Sequence, residues 1–128
     1  MKKIKIELII EKSEGILWGR VSYKDNLITE TASNLTDLQN KFFTLLDDFE
    51  GLKREQVEME YFYDVYSLFQ QFDFLNISKV AIHANMNPSL LRQYASGVKN
   101  PSAEQASKIE ATLHSLAEEL RQAQVLVS

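Results

Sequence analysis

The segment from Asn87 to Ser102, NPSLLRQYASGVKNPS, places polar side chains at helical spacing between two prolines. Residues three or four positions apart lie on the same face of a helix. Four polar residues follow that spacing: Ser89, Arg92, Gln93 and Ser96. An arginine pairs bidentately with guanine, and a glutamine with adenine, in the major groove of DNA. The spacing therefore indicates a short helix whose outer face is suited to reading base edges.

Charge is distributed unevenly along the chain, whose net charge is -4. Residues 1–64 carry nine Lys and Arg against thirteen Asp and Glu, whereas residues 65–128 carry five of each. Between residues 76 and 108 one acidic residue, Glu104, stands among four basic ones: Lys79, Arg92, Lys99 and Lys108. The acidic residues are concentrated in the first half, and the modest basic region coincides with the polar helix.

Two short helices joined by a break are predicted to position these polar side chains. Apolar periodicity favours a helix over 77–84 and another over 88–96, with the break at 85–87. From the second helix Leu91 and Tyr94 are expected to face the core. From the first helix Val80 faces it, together with either Ile82 or Ala84. This is the helix-turn-helix arrangement.

The residues of the break and the helix ends have local physical reasons. Ala81 is small, so the second helix can cross the first closely. Asn85 is expected in a left-handed conformation, which asparagine tolerates better than most residues. Pro88 suits the first turn of a helix, and Gly97 suits the position after its end. Ser102 and Gln105 have the spacing of a capping box for the last helix.

The first half alternates in the manner of strands. Period-two patterns predict strands over 2–11, 16–23 and 27–32, and a fourth over 56–63. A helix from Asn34 to Gly51 is predicted before the last strand. Its apolar face is formed by Leu35, Leu38, Phe42, Leu45 and Phe49. The order is β-β-β-α-β, which is one sheet covered by one helix, and the predicted domain covers residues 1–63.

Residues 64–128 are predicted to form a separate, all-helical domain. A helix of about two turns begins near Asp64, and the last helix carries an apolar stripe along Leu113, Leu116 and Leu120. That stripe either packs on its own domain or joins two copies of the chain. A binding helix with so few basic neighbours holds DNA weakly as a monomer, so a homodimer or larger homo-oligomer is expected.

Several classes of function are not expected. There is no cysteine, and no phosphate loop, nucleophile–base pair or metal motif is recognisable. His83 and His114 lie on different helices without ligand partners at suitable spacing. We expect no enzyme activity, no cofactor, no metal and no membrane segment, and a cytoplasmic location.

The stretch VAIHANMNPSLLRQYASGVKNPS resembles the helix-turn-helix of the Cro/λ-repressor-like (XRE) family. The alanine of the first helix and the exit through Gly97, Lys99, Pro101 and Ser102 carry the resemblance, whereas Asn85 stands where the family usually has glycine. The resemblance implies double-stranded operator DNA as a ligand. It implies base or phosphate contacts from a set of exposed polar residues: Lys79, Asn87, Ser89, Arg92, Gln93, Ser96, Lys99 and Asn100.

The β-β-β-α-β half, followed by such a unit, resembles the HicB-type antitoxins. Its helix segment SNLTDLQNKFFTLL and the YASG-x-K-x-P exit are similar to HicB-like proteins with an XRE tail. The resemblance implies a partial RNase H-like fold that neutralises a small, basic RNA-cleaving toxin of the HicA type. Trp18, Arg20 and Glu30 are assigned to partner binding, although a place in the core or on a sheet face is favoured over a binding role for Trp18.

The sequence thus predicts an α+β chain that acts as a non-enzymatic antitoxin and autorepressor. Two alternatives remain open from the residues alone. One is a stand-alone XRE-type transcriptional regulator whose first domain binds a ligand or dimerises. The other is a protein-interaction adaptor whose helix-turn-helix does not bind DNA.

Overall fold

A computed structural model describes residues 2–127 of the chain. Within them lie four strands and five α-helices, which confirms the predicted α+β class. The elements in chain order are β1 (Ile4–Ser13), β2 (Ile16–Tyr23), β3 (Asn26–Ala32), α1 (Leu35–Glu50), β4 (Val57–Tyr63), α2 (Val65–Gln71), α3 (Ile77–His83), α4 (Pro88–Ala95) and α5 (Ala103–Gln122).

The four strands form one mixed sheet in the order β3-β2-β1-β4. Two hairpins make β1, β2 and β3 antiparallel neighbours, while β4 returns beside β1 in parallel after the α1 crossover. The hairpin turns contain consecutive residues of positive φ, Glu14-Gly15 and Lys24-Asp25. Turns of that kind match the twist of the strands that they connect. Because β3 and β4 stand at the two ends of the strand order, they are the edges of the sheet.

One face of the sheet packs against α1. The period-two pattern predicted for β1 places Ile6, Leu8 and Ile10 in the core, against the buried Leu38 and Phe42 of α1. The contact with β2 is close: a Cβ built on Gly19 would lie 2.7 Å from the Phe42 ring. Glycine is thus required where the helix crosses β2, because any side chain there displaces a fully buried ring.

The ends of α1 follow the sequence signals. The side-chain oxygen of Asn34 accepts a hydrogen bond from the Asp37 N–H, and Gly51 ends the helix with φ of 66°. Such caps satisfy backbone groups that have no partner inside the helix. The predicted apolar face is wrong at its last position, because Phe49 is 74% exposed and the buried position is taken by Leu46.

The described residues fall into two compact units that divide between Gln71 and Phe72. We call them the first and second units. The division lies after α2, whereas the sequence places it before that helix, at 63/64. The reason is local: Ser67 of α2 is buried and its Oγ accepts the Lys12 backbone N–H at 2.9 Å. This bond satisfies the backbone N–H of Lys12, which lies beyond Ile10, the last residue of β1 that pairs with β4.

The second unit consists of α3, α4 and α5 around its own small core. Val80 and Ala81 of α3, Leu91 and Tyr94 of α4, and Ile109 of α5 are buried. α5 begins at Ser102, whose Oγ accepts the Gln105 N–H at 3.2 Å. Leu113 and Leu116 are half-buried and Leu120 is exposed. The apolar stripe of α5 is therefore covered at its start and uncovered towards its end.

Candidate functional site

The candidate site is built from α3, the turn after it and α4. α3 begins after Asn76, whose side-chain oxygen accepts the Lys79 N–H at 3.0 Å. Its inner side presents Val80, Ala81 and Ala84, which are all buried. Ile82 is 67% exposed, so Ala84 is the core-facing residue of the two that the sequence left open. Small side chains on this face let α4 pack closely on α3.

The turn between the helices depends on one left-handed residue. Asn85 has φ of 55°, as the sequence predicts. The reversal lets the Met86 N–H donate to the Ala81 carbonyl at 2.9 Å, and Met86 itself is buried. A buried apolar side chain beside a backbone hydrogen bond fixes the angle at which the chain enters α4.

Asn87 caps α4 rather than projecting a free side chain. Its Oδ1 accepts the Ser89 N–H at 2.8 Å and the Leu90 N–H at 3.4 Å. Asn87 thus already satisfies the backbone N–H groups of Ser89 and Leu90 at the start of α4. Its amide nitrogen remains a possible donor to DNA, because a side-chain amide carries donors separate from its oxygen.

α4 separates an inner face from an outer one. Leu91, Tyr94 and Ala95 are buried, as expected for a core face. The four polar residues predicted to lie opposite are mostly exposed. Ser89, Arg92 and Ser96 are exposed, and Gln93 is half-buried. The structure thus brings these four side chains together on one polar ridge, which we call the α4 ridge.

Arg92 has a partner that the sequence does not reveal. Its Nη1 donates to the Ser78 Oγ of α3 at 2.7 Å. Ser78 lies 14 positions earlier in the chain, so the contact depends on how α3 and α4 cross. The bond holds the guanidinium beside the first turn of α3. Since both groups are near the surface, the guanidinium can exchange this neutral hydroxyl for a charged acceptor, which binds it more strongly.

The exit from α4 has the hydrogen bonds of a Schellman motif. Gly97 has φ of 82° and donates its N–H to the Tyr94 carbonyl, while the Val98 and Lys99 N–H groups both donate to the Gln93 carbonyl. These bonds close the helix and fix the loop that follows it. Lys99 and Asn100 are exposed on that loop, and Lys79 is exposed on α3.

The three residues assigned to partner binding do not share one face of the first unit. Trp18 is 53% exposed and, with Arg20, lies on the sheet face opposite α1, where Arg20 Nη1 meets Glu11 Oε1 at 3.0 Å. Glu30 pairs in register with the core-facing Gly19, so its side chain points to the α1 side. There it lies 3.9 Å from the ammonium of Lys41. Trp18 is thus a sheet-face residue rather than a core residue.

The described part of the chain shows neither a metal-ligand cluster nor a membrane-spanning helix. Among residues 2–127, His, Asp and Glu side chains do not gather into a group of three or more that could hold a metal ion. None of the helices between these residues has the length and apolar character that crossing a bilayer requires. The structural feature that stands out is therefore the α4 ridge with its flanking lysines.

Comparison with known proteins gives no match of significance: no family model, no curated protein and no solved structure is similar enough to assign this chain.

Proposed function

We propose that this protein is a HicB-like antitoxin and transcriptional autorepressor. The second unit would bind operator DNA as a Cro/λ-repressor-like domain, and the first unit would neutralise a small, basic, RNA-cleaving toxin. The observation that carries the proposal is the α4 ridge, an outward row of polar side chains on a helix whose opposite face is buried. The sequence resemblance of this segment and of the β-β-β-α-β half supplies the family.

The DNA-binding half rests on the chemistry of the ridge. Arg92 pairs with guanine and Gln93 with adenine when α4 enters a major groove. Ser89 and Ser96 flank them on the same helix, and Lys79, Lys99 and Asn100 contact the phosphates. Arg92 leaves Ser78 in the complex, and a bidentate pair of hydrogen bonds to guanine replaces that single bond.

Affinity is expected to depend steeply on salt and to require two copies. Between residues 76 and 108 the chain offers four basic side chains against one acidic one, so one copy neutralises few phosphates. Two copies on a palindromic operator double that number and set the spacing of the half-sites to one helical turn. A homodimer, or a larger homo-oligomer, is part of the proposal for this reason.

Gel shifts with DNA from upstream of the gene test this half. Arg92→Ala and Gln93→Ala are each expected to weaken specific binding by about 10- to 100-fold, since a bidentate base contact contributes roughly 1–3 kcal/mol. Circular dichroism should be unchanged and thermal unfolding nearly so, because Arg92 is exposed and Gln93 is only half-buried. Arg121→Ala is the matched control: it removes one arginine from the second unit, at a residue bonded to Glu118 within α5.

Equal affinity of all three variants at matched salt would refute the assignment of the ridge. Failure of the wild-type protein to shift its own promoter at any salt concentration would favour the adaptor alternative. If the protein binds its operator specifically but no toxin partner is found, the stand-alone regulator becomes the favoured alternative.

The toxin-binding half rests on charge. The first unit holds all but five of the acidic residues of the chain and carries a net charge of -4. A basic protein is attracted to such a surface, and binding occludes its RNA site without any chemistry on this chain. We assign no enzyme activity and place the protein in the cytoplasm, where operator and toxin are found.

Co-expression with the product of the neighbouring gene tests this half. A short, basic product should co-purify with the full chain, and the complex should dissociate as salt is raised because the attraction is electrostatic. Recovery of this chain alone at low salt, with the neighbour expressed and folded, would contradict the antitoxin proposal while leaving the DNA-binding half intact.

A further inference from the structure

β3 is an edge strand, and one of its residues shows which way its backbone faces. Thr31 donates its N–H to Glu30 Oε1 at 3.3 Å and accepts from Lys41 Nζ at 2.6 Å on its carbonyl. Both backbone groups therefore point away from β2, towards the open side of the sheet. Backbone direction alternates along a strand, so Leu27 and Thr29 present their N–H and C=O groups to the same side.

An open groove lies beside the end of β3, at Glu30, Ala32 and Ser33. It measures about 670 Å³ between the end of β3 and α1, and its lining includes Glu30 and Lys41 together with Asp37, Asn40 and Thr44 of α1. Glu30 and Lys41 also approach each other within 3.9 Å. Two charged side chains thus occupy the positions that the carbonyl and the amide of a neighbouring strand would take on Thr31.

We propose that an extended segment of the basic partner adds as a strand to the β3 edge and reaches this groove at the end of β3. The incoming strand would donate to and accept from Leu27, Thr29 and Thr31, displacing Glu30 and Lys41 from the backbone of Thr31. Main-chain hydrogen bonds provide affinity in such complexes, and the side chains of alternate residues provide selectivity. This inference rests on the proposed antitoxin function, and it adds the mode in which the partner is held.

Charge favours a basic strand over a second copy of this chain. The groove lining contributes two carboxylates, Glu30 and Asp37, against one ammonium, Lys41. Once displaced from Thr31, Glu30 is free to pair with a lysine or arginine of the incoming segment. A second copy would instead bring another unit of net charge -4 against the first. In the unbound chain the Glu30–Lys41 pair protects the edge, as charged residues do on exposed edge strands.

The probe for this site is a capped seven-residue peptide of alternating lysine and valine, titrated into the full-length, ¹⁵N-labelled protein. We expect the amide signals of Leu27, Thr29 and Thr31 to shift and their hydrogen exchange to slow several-fold. Two control peptides share its length. One is N-methylated at alternate residues and lacks the donors of one edge, and the other replaces lysine with glutamate. Both should bind at least tenfold more weakly.

Two variants separate the backbone contact from general charge. Thr31→Pro removes the N–H at the edge and should weaken peptide binding about tenfold; proline is tolerated there because that N–H is not part of the ladder. Lys41→Ala removes the competing donor and should tighten binding several-fold. Lys5→Ala, which removes a lysine from β1 two strands away, should change affinity little.

Several results would overturn strand addition. They are equal binding of the N-methylated peptide, shifts centred on Trp18 and Phe62 instead of β3, peptide-induced self-association of the chain, or no binding at millimolar peptide. The neighbouring gene product distinguishes the two proposals. If it co-purifies equally with wild-type protein and Thr31→Pro, strand addition is wrong and the antitoxin proposal stands. If the peptide binds β3 but no basic product co-purifies, the antitoxin proposal fails instead.

Discussion

At the scale of the residue, Asn85 shows how one backbone angle sets the geometry of the candidate site. Its φ of 55° is unfavourable for residues with a Cβ, and asparagine reduces that cost without removing it. Ala81 and Met86 on either side are buried and joined by a backbone hydrogen bond, so the turn cannot relax to another conformation without exposing them.

We therefore predict opposite effects for two substitutions at this position. Asn85→Gly should leave the free energy of unfolding unchanged or raise it slightly. Asn85→Ala should lower it by about 1 kcal/mol, because alanine lacks the polar side chain that stabilises the left-handed conformation. Urea unfolding followed by circular dichroism measures both changes.

Asn100 provides the control, since it is exposed and its φ is not positive. Glycine and alanine at position 100 should shift the urea midpoint by similar, small amounts. If alanine and glycine are equally stable at position 85, the left-handed conformation is not what that turn requires.

At the scale of the element, the sequence predicted those features that depend on near neighbours. Strand alternation placed Ile6, Leu8 and Ile10 in the core. The caps of α1, α4 and α5 lie at Asn34, Asn87 and Ser102, although Asn87 was predicted as a DNA contact and not as a cap. These features are readable because a cap or a period involves residues within four positions of each other.

Features that depend on distant residues could not be predicted in this way. Phe49 continues the apolar spacing of α1 but is exposed, whereas Leu46 before it and Leu52 after the helix are buried. Ser78 meets Arg92 only because α3 and α4 cross. The contact of Lys41 with the Thr31 carbonyl likewise needs β3 and α1 to be placed together. Tertiary placement, not local propensity, decides all three.

At the scale of the whole molecule, charge is divided between the two units. The first unit carries the net negative charge and the second is neutral overall with a basic region on α3, α4 and the loop after α4. A protein that binds a basic partner and DNA needs this division, because a uniformly acidic chain would repel the phosphates. The division therefore supports two ligands of opposite charge on one chain.

The exposed end of α5 gives the last prediction. Leu113 and Leu116 are half-buried, whereas Leu120 is 72% exposed and Val125 and Leu126 beyond the helix are over 90% exposed. We expect a second copy to cover this surface, because DNA binding through so few basic residues requires two copies. Burial of apolar area of this kind drives association of subunits.

Leu120→Glu tests the dimer without disturbing the fold, since the side chain is already exposed. Sedimentation equilibrium should give twice the chain mass of 14.7 kDa for wild-type protein and the single mass for Leu120→Glu. Ala111→Glu is the matched control: it adds the same charge to an exposed position nine residues earlier, which is the opposite face of a helix with 3.6 residues per turn. The control should remain dimeric and retain operator binding, whereas Leu120→Glu should lose most of its affinity for a palindromic operator. A wild-type chain that stays monomeric at all concentrations, or a Leu120→Glu variant that still dimerises, would show that the end of α5 is not the contact between copies.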